Sequence, residues 1–162
     1  MRIEQLMSKS PKSCQPDDTL GDAAHSMWAH DCGCLPVTAG DGSQRVIGMI
    51  TDRDICMAAL FHGEPLRRIR VGDAMAQDVW ACNPGDAPCE AEAIMREARV
   101  RRLPVVDEAD QLLGLISLAD LAREAERQHW KKKREITVAE VGDVLAMICQ
   151  PRELHPCAQR AS

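Results

Sequence analysis

The chain has 162 residues, 45% of them hydrophobic, and a formal net charge of -5. That length holds one ordinary domain or two very small ones, and the acidic balance argues against a dedicated nucleic-acid binder. With one Phe and no Tyr, the core must be aliphatic, built from Val, Ile, Leu, Met and Ala.

Met1 to Gln5 lacks the apolar run of a signal peptide. No stretch approaches the roughly 18 to 20 apolar residues that a spanning helix needs. A cytoplasmic protein without membrane contact is expected. Its eight cysteines are then expected to be reduced, small side chains rather than a disulfide framework.

A short extended segment at Lys12-Ser13-Cys14 comes first. Asp18 then opens a helix whose apolar positions are Leu20, Ala23, Ala24 and Met27. His30-Asp31-Cys32-Gly33-Cys34 follows, the nearest approach to a metal motif, but the chain holds no C-x-x-C pair. Structural zinc wants two closely spaced ligand pairs, so no metal is expected. Leu35-Pro36-Val37 and Val46-Ile47-Gly48-Met49-Ile50 are strands flanking a Gly/Asp-rich turn, and a second helix starts at Thr51.

The same order then returns. Val79-Trp80-Ala81-Cys82 is extended, and Asp86 opens a helix carrying Cys89, Ala93 and Met95. Strands at Leu103 to Val106 and Leu112 to Ile116 lead into a helix from Ser117. Pro16-Asp17-Asp18, Ala23, Met27 and Leu35-Pro36-Val37 recur 68 positions later as Pro84-Gly85-Asp86, Ala91, Met95 and Leu103-Pro104-Val105. After the turn the offset becomes 66, matching Gly48 to Ile55 with Gly114 to Leu121. The slip falls in a turn, where length changes without disturbing strands. Such a duplication predicts an α+β protein of two β-α-β-β-α repeats, packed with pseudo-two-fold symmetry and with clefts between them. Boundaries are expected at 1–66 and 67–125, followed by a helical extension over 126–162. In that extension a solvated helix runs into the basic Lys131 to Arg134. Val138, Val141, Leu145 and Ile148 then mark one helix face, Pro151 ends it, and the last residues are expected to be mobile.

The Leu-Pro-Val strand and the Gly-apolar-apolar-Thr/Ser-x-x-Asp element, each present twice at matched spacing, resemble the cystathionine β-synthase (CBS) domain. The resemblance spans roughly residues 1 to 125. It implies a tandem pair that binds an adenosine-containing ligand such as AMP, ATP, NAD(H) or an S-adenosyl compound. It also implies a regulatory sensor without catalysis that dimerises into a flat disc.

Thr51 with Asp54, and Ser117 with Asp120, stand three apart at a helix start. That spacing can offer acceptors to the two adjacent hydroxyls of a ribose, with helix N–H groups beside them for phosphate. The same pattern is also a plain helix capping box, and the two roles are compatible. In the family, basic residues just before the Leu-Pro strand often reach phosphates. Here those are Arg101 and Arg102, opposite Gly33 and Cys34 in the first copy, while Arg53 supplies a charge where the second has Ala119. An ordinary solvated pair is the alternative for Arg101 and Arg102. By the family arrangement, Val79 and Trp80 belong to the Asp54 pocket, with Trp80 either a core residue or an adenine-stacking edge. Pro11, Lys12 and the surroundings of Cys34 belong to the Asp120 pocket.

The expected partners are an adenosyl nucleotide as regulatory ligand, a second copy of the chain and a regulated protein. No cofactor is required. An enzyme is disfavoured, since no Ser-His-Asp order, H-E-x-x-H, P-loop or Rossmann glycine signature occurs. The other reading is a structural protein with degenerate clefts, its dimer and extension docking a partner.

Overall fold

Two antiparallel hairpins anchor the two repeats. A computed structural model describes residues 1–151, so the expected mobile end lies outside the described residues. In chain order the elements are β1 (Ser8–Lys9), α1 (Leu20–Ala29), β2 (Cys34–Thr38), β3 (Val46–Thr51) and α2 (Asp52–His62). There follow α3 (Pro88–Ala98), β4 (Arg102–Val106), β5 (Leu112–Ser117), α4 (Leu118–Gln128) and α5 (Val138–Ile148). Leu35 pairs with Ile50, and Leu103 with Ile116. Each ladder slips at one place, Val37/Thr38 and Val105/Val106, which are equivalent positions of the duplication. The mixed α+β fold expected from the duplication is present, together with the C-terminal helix.

Two helix starts differ from expectation. Asp18 and Asp86 are not the caps: α1 is capped by Thr19, whose hydroxyl accepts from Asp22 N–H, and α3 begins with Pro88 after Ala87. Asp18 and Asp86 instead close the preceding turns, accepting at 2.7 Å from the N–H groups of Gln15 and Asn83. A short acceptor two or three residues before a helix serves a turn as readily as a cap.

The repeats exchange their opening segments. β1 pairs with β5, and Ala76 pairs with Met49 of β3, the equivalent contact from the other side. Ile3 donates its N–H to Asp86 O and enters the second repeat's core; Val71 donates to Asp18 O and enters the first. Both side chains are fully buried. The hairpin tips meet at the pseudo-two-fold axis, where Arg45 opposes its own counterpart Gln111. Each core is aliphatic, as the composition requires, with Leu20, Leu35, Val37 and Ile50 in one and Met95, Leu103, Ile116 and Leu121 in the other.

α5 lies across α3 and α4. Its buried residues are Val141 and Val144, with Ile148 partly covered, whereas Val138 and Leu145 are 52% and 44% exposed. The expected apolar face is thus rotated: positions 141, 144 and 148 form the stripe, and 138 and 145 flank it. The basic run does not prolong α4, which ends at Gln128. Gln128 binds Glu124 through its amide N–H at 2.9 Å and accepts from Glu135 N–H at 2.7 Å, so the connection folds back and buries Ile136.

Beneath α5 sits Glu92, 5% exposed, with Oε1 lacking a hydrogen-bond partner among the described residues. Burial, reinforced by Glu140 of α5, raises its carboxyl above the ordinary 4.5, against a smaller lowering by Arg96. Below 4.5 the group is protonated in both folded and unfolded chains and costs nothing. As pH rises from 4.5 towards the higher folded value, the unfolded chain ionises while the folded one stays protonated, so stability falls until the folded carboxyl ionises too. Glu92→Gln should therefore raise stability by roughly 1 kcal/mol at pH 7 and change it little at pH 4. Thermal melts at both values check this, and an equal shift at both would exclude the carboxylate as the cause.

Candidate functional site

The two hydroxyl–carboxylate pairs form the same structure. Thr51 ends β3 in an extended conformation, and its hydroxyl accepts from Asp54 N–H at 3.2 Å. Asp54 Oδ2 in turn receives the Thr51 hydroxyl at 2.6 Å and the Thr51 N–H at 3.0 Å. In the second repeat, Ser117 Oγ accepts from Asp120 N–H at 3.2 Å, while Asp120 Oδ2 receives Ser117 Oγ at 2.5 Å and N–H at 2.8 Å. These are complete capping boxes, and each uses one carboxylate oxygen.

The remaining oxygen differs between the repeats. Asp120 Oδ1 is paired with the guanidinium of Arg123, one turn along α4. Asp54 Oδ1 has no protein partner among the described residues, since position 57 of α2 carries Met57. The Arg123 pairing was absent from the sequence-based expectations, although the Asp-x-x-Arg spacing on one helix face announces it. Both carboxylates are half-buried.

The other expected residues are dispersed. Val79 is half-buried and lines a recess of about 420 Å³ with Arg45, Val46, Ile47 and Val106, between the two hairpins. Neither Thr51 nor Asp54 lines that recess. The register gives the reason: Ala76 runs antiparallel to Met49, so the chain beyond it travels back along β3, away from Thr51. Trp80 is 44% exposed and is not a core residue. Pro11 is half-buried and Lys12 exposed, in the connection between Lys9 on β5 and Cys14 beside Val37.

Arg101 is exposed and donates to Cys149 Sγ at 3.5 Å, which ties it to the end of α5. Arg53 is exposed on α2, and its N–H is held by Asp52 Oδ1 at 2.8 Å. Arg102 reaches into the first repeat. It lines an open cavity of about 540 Å³ between α1 and α2, with Trp28, Asp31, Cys32, Gly33, Asp52 and Ile55 among the other lining residues. A side chain on Gly33 would meet Asp52 Oδ2 at 3.1 Å and Arg102 Nη2 at 3.8 Å, so the two charges share that corner. Cys34 is buried there, opposite Thr51 in the ladder; burial pushes its thiol up to about 11 despite the lowering pull of Arg102.

Burial likewise pushes the thiols of Cys14 and Cys82 up to about 12. They stay protonated and behave as small core side chains, while Cys56, Cys89 and Cys149 are exposed. Among the described residues, no group of three or more His, Cys, Asp or Glu stands where a metal could be held. None of the described helices is long and apolar enough to cross a membrane.

The sequence pattern of the CBS domain matches this chain twice, at residues 3–60 and 71–127. The mitochondrial CBS domain-containing protein CBSX3 of Arabidopsis thaliana is 30% identical over 136 residues, a match covering 78% of this chain and 66% of that protein. The crystal structure of Hypoxic Response Protein I with two coordinated zinc ions has a TM-score of 0.68 at 31% identity, covering 76% of this chain and 98% of that one. The CBS domain pair of protein MJ0100, solved in complex with 5'-methylthioadenosine and S-adenosyl-L-methionine, has a TM-score of 0.68 over 76% of this chain and 94% of its own. At 20% identity the last likeness shows the fold alone.

Proposed function

This chain belongs to the CBS domain family, and from that premise we propose that it is a regulatory module that binds an adenosine-containing nucleotide and signals to a partner protein. The observation that carries the reading is the free Oδ1 of Asp54, beside a Thr51 hydroxyl already fixed in place. A carboxylate so oriented accepts from both hydroxyls of a ribose without first breaking an ion pair. In the second cleft the Asp120–Arg123 pair must open or be shared. The first cleft is therefore the stronger site, and the second binds more weakly.

The ligands in the MJ0100 complex support the chemical class, since both carry an adenosine ribose on the same fold. No cofactor is required, no catalytic step is assigned, and the module works as a homodimer in the cytoplasm. Equilibrium dialysis against AMP, ATP, NAD(H) and S-adenosylmethionine tests the reading. Retention of at least one is expected. Retention of none would favour the second reading, an interaction protein with degenerate clefts. The helix α5, packed on the second repeat and carrying apolar residues on its outer side, is the observation that favours that alternative.

A further inference from the structure

The connection between α4 and α5 closes on itself and leaves its middle in solvent. Gln128, the last residue of α4, is 2% exposed, and its side-chain oxygen accepts from Glu135 N–H at 2.7 Å. Ile136, the next residue, is fully buried. These anchors pinch the chain at its base, and residues 129–134 form a short closed loop between them. All six are exposed, and five of them are Trp130, Lys131, Lys132, Lys133 and Arg134.

Neither the tryptophan nor the four cations stabilise the fold. Trp130 is 88% exposed, and its ring contact is with the edge of His129, the centroids 4.8 Å apart. Lys131, Lys132, Lys133 and Arg134 form no ion pair among the described residues. The acids nearest in sequence are engaged elsewhere: Glu124 with Gln128 and Arg127, and Glu135 with the amino group of Met1. Glu126, exposed on α4, cannot balance four positive charges. Like charges side by side in water repel one another, and a bare indole among them buries nothing.

We propose that this loop is a docking tip for an anionic lipid surface. The indole is apolar over its rings and polar at Nε1, which suits the boundary between headgroups and acyl chains. The lysines attract anionic headgroups as point charges and need no fixed partner geometry. Charge favours a membrane over a nucleic acid. Four of the 20 basic residues stand in this loop, so the rest of the molecule is more acidic than the overall -5. A nucleic-acid strand runs on past its first contacts and needs a basic track along the protein. A bilayer meets only the tip, and charges more than about 8 Å behind it are largely screened at physiological salt. The expectation of no membrane contact rested on the lack of a spanning stretch, and a peripheral contact needs none. The contact is reversible, since each cation adds only about fivefold in binding. The loop follows the C-terminal end of α4, whereas Asp120 stands at its N-terminal end, so the tip does not depend on the nucleotide reading.

Vesicle flotation of the full chain tests the proposal, using phosphatidylcholine vesicles with and without phosphatidylserine. The wild-type chain should float with the anionic vesicles only, and less of it should float at high salt. Lys132→Glu combined with Lys133→Glu should weaken the association by about a hundredfold or more. Trp130→Ala should weaken it by about tenfold. All three positions are exposed, so the variants should melt as the wild type does, which circular dichroism checks. No flotation of the wild-type chain with anionic vesicles would overturn the proposal, as would variants that float as well as the wild type. Binding to single-stranded oligouridylate without binding to vesicles would also overturn it, and would assign the loop to nucleic acid instead.

Discussion

Asp54→Ala should lower nucleotide affinity by tenfold or more while moving the melting temperature only slightly. The carboxylate supplies charge-assisted hydrogen bonds to ribose, each worth about 1.5 to 3 kcal/mol, and tenfold corresponds to about 1.4 kcal/mol. The stability cost is limited because Thr51 retains its own bond to the N–H of residue 54, the main element of the cap. Asp120→Ala should have a smaller effect on affinity, since Arg123 already occupies the outward oxygen of Asp120. Arg123→Ala should accordingly strengthen the second cleft. Isothermal titration of the three variants decides the matter. Untouched affinity in Asp54→Ala, with a lowered melting temperature, would return the residue to helix capping alone.

The second large effect concerns the exchanged segments. Gly48 and Gly114 lie where each repeat receives the other's opening strand. A Cβ on Gly48 would stand 2.8 Å from Met75 Sδ and 2.9 Å from Ala76 O. Ala76 and Met49 exchange both backbone hydrogen bonds at 2.9 Å, so pushing that carbonyl away weakens the whole bridge. On Gly114 the added atom would meet Met7 Sδ and stand 3.0 Å from Ser8 O. Gly48→Ala and Gly114→Ala should each cost about 1 to 3 kcal/mol, seen as a fall of roughly 3 to 10 °C in melting temperature. An unchanged melting temperature in both would mean that the donated strands shift freely and do not hold the repeats together.

Much of this architecture is legible without coordinates because it is local and occurs twice. Thr51 and Ser117 cap their helices through residues three positions away, and the Leu-Pro-Val strands pair with strands a short turn later. Contacts so close in sequence leave their mark in residue type and spacing. Even there, neighbours compete: Thr19 takes the cap that Asp18 could have made, because the preceding turn uses Asp18 first. The α5 helix is equally visible as a helix, but its inward face is not. Val138, Val141, Leu145 and Ile148 fit one broad stripe, and only the surface of α3 and α4 selects Val141 and Val144.

The candidate site divides along the same line. The sequence by itself determined the duplication, the aliphatic cores and the two hydroxyl–carboxylate pairs, each of which depends on residues within one turn of helix or one hairpin. Only the tertiary structure decided that the opening segments cross between repeats, that Arg102 leaves its own repeat to stand beside Gly33 and Asp52, and that α5 fills one helix groove while the other stays open. These contacts join residues dozens of positions apart through backbone pairing and apolar burial. Neither interaction requires a particular residue type at both ends, so neither leaves a pattern that the sequence alone could display.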